Sequence, residues 1–388
     1  MSVLPKKLFK KLQSREVNNA LRTLPEVSVA IDFASNDYLG FSTSQTIFEA
    51  VHNRLKSALD QPVNGATGSR LLTGNHMYYK KTESYIASFH KADAALLFNS
   101  GYDANVGVFS SIPQRGDIVF FDEFIHASIR DGIQMSKASS YKYVHNDLED
   151  LERRIKRKIA EVNTENTDVY IVTESVFSMD GDSPDLERLV QLSQLYKCHL
   201  IVDEAHALGV FGVNGAGLIQ ELGLENQVFA RIVTFGKGLG CHGAVVLGTG
   251  ALKRYLVNFA RSFIYTTGLS PHAVVTIHET YHQLEKTKQI NYLQSNITFF
   301  NQTIEELGLK NIFIKSNSAI HCCVIPGNTR VKNIAKSIRD EGFDVRAILS
   351  PTVKSGAERL RICLHAYNTQ NDIKKILDIV KKQYVYSS

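Results

Sequence analysis

A chain of 388 residues can fill a large core, and its composition, 44% hydrophobic and 21% charged, is that of a globular protein rather than a disordered or fibrous one. A net charge of +5 with a pI near 8.7 is too thin over this length to argue for nucleic acid. The five scattered cysteines form no Cys-x-x-Cys pair, no apolar run is long enough to span a membrane, and Met1 to Lys11 lacks a signal peptide's apolar stretch. The expectation is a cytoplasmic protein that binds neither nucleic acid nor membrane.

In chain order, residues 1 to about 30 read as a helix with Leu8, Leu12 and Leu21 on its apolar side. Lys6, Lys7, Lys10, Lys11 and Arg15 form its solvated face, and a connector follows at Leu24-Pro25. Ile47, Val51, Leu55 and Leu59 predict a helix over 46–59. A glycine-rich loop, Gly65 to Gly74, precedes another helix over 77–90. Seven short apolar runs follow as strand candidates: 94–98, 118–121, 141–144, 169–173, 200–203, 232–235 and 244–247. Helical patterns such as Leu148–Ile159 and Asp185–Tyr196 lie between most of them. This alternation predicts an α/β fold with a mostly parallel sheet covered by helices on both faces. After about 285 the pattern changes to helices near 290–307 and 331–342 around a strand at 319–325. A strand at 359–364 and a final helix opened by Thr369 complete it. The expected division is an N-terminal helix and arm over 1–45, a large domain over 46–284 and a smaller α+β domain over 285–388.

Two strand ends carry the chemistry. Arg231-Ile-Val-Thr-Phe-Gly-Lys237-Gly-Leu-Gly240 puts a lysine in a glycine-bracketed turn, where other groups can approach the backbone closely. His199-Leu-Ile-Val-Asp203-Glu-Ala-His206 stops an apolar run at an acid, with a histidine three positions on. A lysine amine for an aldehyde and an aspartate for a ring nitrogen are what pyridoxal phosphate needs, together with a flat group against the ring and donors for the phosphate. Phosphate donors are expected at Asn99, Ser100, Gly101 and Tyr102, where a helix opens after a strand, and at Thr234. His126 is the candidate for stacking, His206 can reach the phenolic oxygen, and Ser178 lies in a turn facing the same edge. A substrate carboxylate calls for an arginine fork, and Arg359 or Arg361 on the 359–364 strand can supply it. Asp203-Glu-Ala-His206 also spells a helicase box, but no phosphate-binding loop of that class precedes it. Gly238-x-Gly240-x-x-Gly243 spells a dinucleotide fingerprint, but a strand follows it rather than a helix.

Ser35-Asn-Asp-Tyr-Leu-Gly40, the Gly65 to His76 loop, Asn99-Ser-Gly-Tyr102, His126-Ala-Ser128, Phe177-Ser-Met-Asp-Gly181, Val202-Asp-Glu-Ala-His206 and Thr234-Phe-Gly-Lys-Gly238 resemble the α-oxoamine synthases over nearly the whole chain. These are pyridoxal-phosphate enzymes of the aspartate-aminotransferase-like (type I) fold. The resemblance implies that Lys237 holds the cofactor and Asp203 pairs with the pyridinium, while His126 both stacks on the ring and takes part in catalysis. It also implies that Ser178 and His206 lie by the phenolic oxygen, and that Gly101, Tyr102 and Thr234 surround the phosphate. A homodimer with shared active sites follows, in which Thr266 or Thr267 reaches the neighbour's phosphate. Arg361, rather than Arg359, becomes the substrate carboxylate ligand, with Asn36 nearby. The implied reaction is a decarboxylative condensation of an amino acid with an acyl thioester. The wording of the Gly65 to His76 loop, of Phe263-Ile-Tyr-Thr-Thr267 and of Ser350-Pro-Thr-Val353 favours L-alanine and pimeloyl-CoA or its carrier-protein equivalent. Sister reactions that use glycine or serine with other acyl groups are the alternatives, and a cofactor-binding regulator is the non-enzymatic one.

Overall fold

A computed structural model describes residues 4–24, 30–58, 63–162 and 166–386. The chain divides into two compact units, one of residues 36–178 and 183–291, the other of residues 1–35, 179–182 and 292–388. Among the described residues no helix is long and apolar enough to cross a membrane.

The larger unit is built on a seven-stranded sheet. Its order across the sheet is Ala94–Phe98, Ala244–Gly248, Ala230–Thr234, His199–Asp203, Val169–Glu174, Ile118–Asp122 and Ser139–Tyr143. All seven predicted strands are present, with ends shifted by at most two residues. Pairing is parallel except for Ala244–Gly248, which runs against both neighbours. The strands alternate between two cores: Val169, Ile171, Leu200 and Val202 pack into one, and Tyr170, Val172, Ile201 and Ile232 into the other. A sheet buried on both faces needs such near-continuous apolar strands, which is why they were legible as short runs.

The topology collects chemistry at one edge. Six strands end there, so the turns after Phe98, Asp122, Glu174, Asp203 and Thr234 converge. The one antiparallel strand begins there, which brings His242 and Gly243 to the same edge. Carboxyl ends of such strands are where open α/β sheets bind ligands.

Most predicted helices recur with small end shifts: Gln45–Ala58, Met77–Phe89, Leu148–Ile159 and Leu186–Leu195. Asp147 and Asp185 cap the last two by accepting from the N–H groups of Asp150 and Arg188. The N-terminal helix differs from expectation. It spans only Lys6–Val17 and buries no residue, with Leu8 49% and Leu12 44% exposed, and Leu21 lies beyond its end. The chain turns at Asn18 and at Asn19, whose φ of 49° is left-handed, and no further helical hydrogen bond can form past that point. Pro25 of the predicted connector and Leu59 at the end of the predicted 46–59 helix lie outside the described residues.

The smaller unit holds an antiparallel sheet ordered Arg346–Ile348, Arg359–Cys363, Ile320–Val324 and a parallel pair of Ile31–Asp32 with Phe343–Asp344. Its helices Asn328–Asp340 and Gln370–Tyr386 bury Val331, Ile338, Ile373, Leu377 and Val380.

Candidate active site

Lys237 sits in the loop joining the antiparallel strands Ala230–Thr234 and Ala244–Gly248. Backbone bonds shape that loop: Cys241 N–H donates to Phe235 O (3.0 Å) and Gly240 N–H to Lys237 O (2.8 Å). Gly238 is required because a Cβ there would collide with the backbone oxygen of Leu208. The loop is thus pressed against the chain that follows Asp203, and both strand ends face one cavity.

That cavity has a volume of about 280 Å3 and is lined by Asn36, Ser100, Gly101, Tyr102, His126, Asp203, His206, Thr234 and Lys237. Nine predicted residues therefore meet in one place, in a volume just below the roughly 300–1,000 Å3 typical of ligand pockets. Ser178, Thr266 and Thr267 are not among its lining residues. Asn99 holds the two threonines, donating to Thr266 Oγ1 (3.0 Å) and Thr267 O (2.7 Å). Arg361 belongs to the smaller unit, on the strand Arg359–Cys363. Its neighbour Arg359 is committed within that unit: it forms an ion pair with Asp180 and donates to Met179 O (3.2 Å).

Asp203 is 4% exposed, and each of its carboxylate oxygens is held by the chain. Oδ1 accepts from the N–H of Ala205 (2.9 Å) and Oδ2 from Asn105 Nδ2 (2.8 Å). His206 Nδ1 lies 2.7 Å from the Tyr38 hydroxyl, so the ring is steered by a tyrosine from the Ser35 to Gly40 turn. The residue between them has a different task. Glu204 is fully buried, accepts from the N–H of Ile219 (2.9 Å) and faces buried Arg231. The helicase-like spelling is therefore two site residues around a structural acid.

The phosphate candidates stand at the start of the helix Gly101–Ser111, where Ser100 Oγ accepts from the Asp103 N–H (3.1 Å). First-turn N–H groups have no acceptor inside a helix and suit an anion. Gly101 lets this helix touch the sheet, since a Cβ would run into the Thr234 side chain. Thr234 Oγ1 is buried without a hydrogen-bond partner among the described residues, an orphan that a bound acceptor would satisfy.

Seven further residues line the cavity, and among them Glu174, Asn105 and Ser128 carry polar side chains that the sequence reading did not assign to the site. Glu174 ends its strand in register with Asp203, and its Oε1 accepts from the His126 N–H (2.5 Å). Burial pushes its carboxyl up to about 8, helped by the charge of Asp203 and opposed by Lys237. A carboxyl raised in the folded state favours folding at acid pH, and that contribution is lost as pH climbs from its ordinary value through about 8. Glu174→Gln keeps an acceptor for His126 and is expected to remove the loss. Between pH 5 and pH 9, the wild-type protein stripped of ligands should lose a few kcal/mol more than the variant in urea unfolding, at about 1.4 kcal/mol per pKa unit.

A family model, aminotransferase class I and II, matches residues 28–380. The chain belongs to the class I and II aminotransferase family. Its fold and its cofactor, pyridoxal phosphate, follow from that membership. The cavity fits the group: an amine and a carboxylate on one wall set, a helix N-terminus, and an unsatisfied threonine hydroxyl. Among curated relatives, the 8-amino-7-oxononanoate synthase of Emericella nidulans is 40% identical over 377 residues, covering 93% of this chain and 90% of that one. The protein of the same name from Lysinibacillus sphaericus is 36% identical over 383 residues, covering 97% and 94%. Among solved structures, Sphingomonas wittichii serine palmitoyltransferase superposes with a TM-score of 0.89 at 25% identity, covering 99% of both chains. The 8-amino-7-oxononanoate synthase from Francisella tularensis gives 0.77 at 30% identity, covering 92% of this chain and 99% of that one.

Proposed function

We propose that this aminotransferase-family chain condenses L-alanine with a pimeloyl thioester, releasing CO2 and free thiol and giving 8-amino-7-oxononanoate, a step of biotin biosynthesis. What carries the reading is that Lys237, Asp203 and His126 line one cavity in a chain 40% identical to a protein of that name. Pyridoxal phosphate, when bound, supplies the electron sink that lets bonds at the amino acid's Cα break.

The chain's residues do the rest. Lys237 Nζ holds the cofactor's aldehyde carbon, and its neutral amine is the base for the Cα proton. Asp203 keeps a proton on the ring nitrogen by charge. His126 covers the ring and donates a hydrogen bond to the ketone oxygen of the condensed product. Gly101, Tyr102 and Thr234 hold the phosphate, Ser178 and His206 the phenolic oxygen, and Asn36 and Arg361 the substrate carboxylate. A homodimer with Thr266 or Thr267 serving the partner's site belongs to the same proposal. The larger unit exposes Phe48 (57%), Leu72 (81%), Met77 (61%) and Tyr265 (73%), apolar surface that a second copy would cover.

The likeness to serine palmitoyltransferase structures favours a second reading, serine with a long-chain acyl thioester. Thiol release measured with alanine, glycine and serine, each against short, dicarboxylic and long acyl thioesters, separates them. Alanine with the dicarboxylic thioester is expected to give the highest kcat/KM, by at least about tenfold, the discrimination that a few missing contacts provide. Preference for serine with the long chain overturns the pimeloyl assignment and leaves the reaction class intact.

A further inference from the structure

The cavity wall contains a continuous hydrogen-bond chain that runs from Asp203 to His126. Asn105 Nδ2 lies 2.8 Å from Asp203 Oδ2 and 3.0 Å from Ser128 Oγ. Ser128 Oγ lies 2.7 Å from His126 Nδ1, and the Ser128 N–H also donates to that nitrogen (3.2 Å). Asn105, Ser128 and Asp203 are at most 4% exposed, so solvent does not compete for these groups. Both ends of the chain are anchored on adjacent strands, because Glu174, in register with Asp203, accepts from the His126 backbone N–H.

The directions of the bonds in this chain follow from its two ends, the Asp203 carboxylate and the Ser128 backbone N–H that donates to His126 Nδ1. An ionised carboxylate only accepts, so Asn105 must turn its NH2 group, not its oxygen, toward Asp203. The second hydrogen of that NH2 then points to Ser128 Oγ. The hydroxyl of Ser128 has one hydrogen to give, and because Nδ1 already accepts from the Ser128 backbone N–H, that hydrogen goes to Nδ1 as well. That nitrogen receives two donors and has no room for a proton of its own. A neutral imidazole in this position carries its proton on Nε2.

We propose that Asn105 and Ser128 are positioning residues through which Asp203 fixes His126 as the Nε2–H tautomer. The inference rests on the proposed role of His126 toward the ketone, and it explains how one carboxylate can set both ends of the site. The same anion that keeps a proton on the cofactor's ring nitrogen keeps the histidine's proton on the nitrogen not engaged by the wall. The ring is neutral near pH 7 because burial lowers its affinity for a second proton. Asp203 and Asp131 work against that, and Lys237 with it. Polar partners of this kind orient the imidazoles that ligate metals, where their loss costs roughly 10- to 100-fold in activity or affinity.

The test is 15N NMR of histidine-labelled protein with cofactor bound, with the His126 signals assigned by their loss in His126→Asn. The expected wild-type pattern is an unprotonated Nδ1 and a protonated Nε2. Ser128→Ala removes the hydroxyl and leaves only the backbone donor. It is expected to bring in a measurable Nδ1–H population and to lower kcat roughly 10- to 100-fold with little change in KM for the amino acid. Ser128→Thr, which restores the hydroxyl, is expected to restore both readings. Asn105→Ala should act in the same direction as Ser128→Ala. A wild-type Nδ1–H tautomer, or unchanged His126 shifts in both the Ser128→Ala and Asn105→Ala proteins, overturns the inference. Failure of the functional reading looks different: purified protein that binds no yellow cofactor, or that turns over no acyl thioester, whatever its tautomer.

Discussion

Lys237→Ala is expected to abolish thiol release and the cofactor adduct trapped by borohydride together. The rate should fall by at least ~10^4-fold, the upper end of what a positioned base contributes, because on the proposed reading the same nitrogen both tethers the cofactor and moves the Cα proton. The substitution leaves the loop's architecture in place, since its closing bonds are main-chain ones from Cys241 to Phe235 and from Gly240 to Lys237. Lys237→Arg separates charge from nucleophilicity: a guanidinium keeps the positive charge but stays protonated and cannot bond covalently to the aldehyde. Both variants should therefore be inactive, folded and free of trapped adduct. An arginine variant with appreciable turnover would mean that this position contributes charge alone, and the assignment of tether and base would fall.

How much of this was legible beforehand depends on what kind of signal each residue leaves. Strands that face helices on both sides must be apolar throughout, so the seven runs stood out, and the turns after them placed Lys237, Asp203, Thr234 and His126 at one edge. The helix Gly101–Ser111 was harder. Ala104 through Phe109 are buried, so it shows no polar stripe and no period to count. Its Asn105 consequently carried no signal at all, because nothing in sequence says that a mid-helix amide faces an aspartate nearly a hundred residues later. Glu174 was different. Val169-Tyr-Ile-Val-Thr-Glu174 stops an apolar run at an acid, as Leu200-Ile-Val-Asp203 does, and the same reading applied twice would have found it. The N-terminal leucines misled in the opposite sense. Their helical spacing is real, but Leu8 and Leu12 remain exposed, and periodicity reports a face without saying what covers it.

Asp203→Asn changes one atom and should change two properties. The amide retains an oxygen to accept from the Ala205 N–H, so the turn that Oδ1 stabilises is kept and the protein should fold. Where Oδ2 accepted from Asn105, an NH2 group now meets an NH2 group, and the buried Asn105 side chain must turn over to present its oxygen. Ser128 then gives its hydroxyl hydrogen to that oxygen and offers a lone pair to His126, so only the Ser128 backbone N–H still opposes a proton on Nδ1 and a measurable Nδ1–H population is expected. At the same time the cofactor's ring nitrogen would lose the anion proposed to keep it protonated. Removing preorganised charge of this sort costs roughly 10^2- to 10^3-fold in kcat, and the tautomer change adds to it through the ketone contact. The expected result is a protein that binds cofactor at reduced affinity, turns over at least ~10^3-fold more slowly, and shows a measurable Nδ1–H population at His126 by 15N NMR. Slow turnover with the wild-type tautomer would break the link between aspartate and histidine while sparing the aspartate's own role. Near-normal turnover would remove Asp203 from the chemistry altogether.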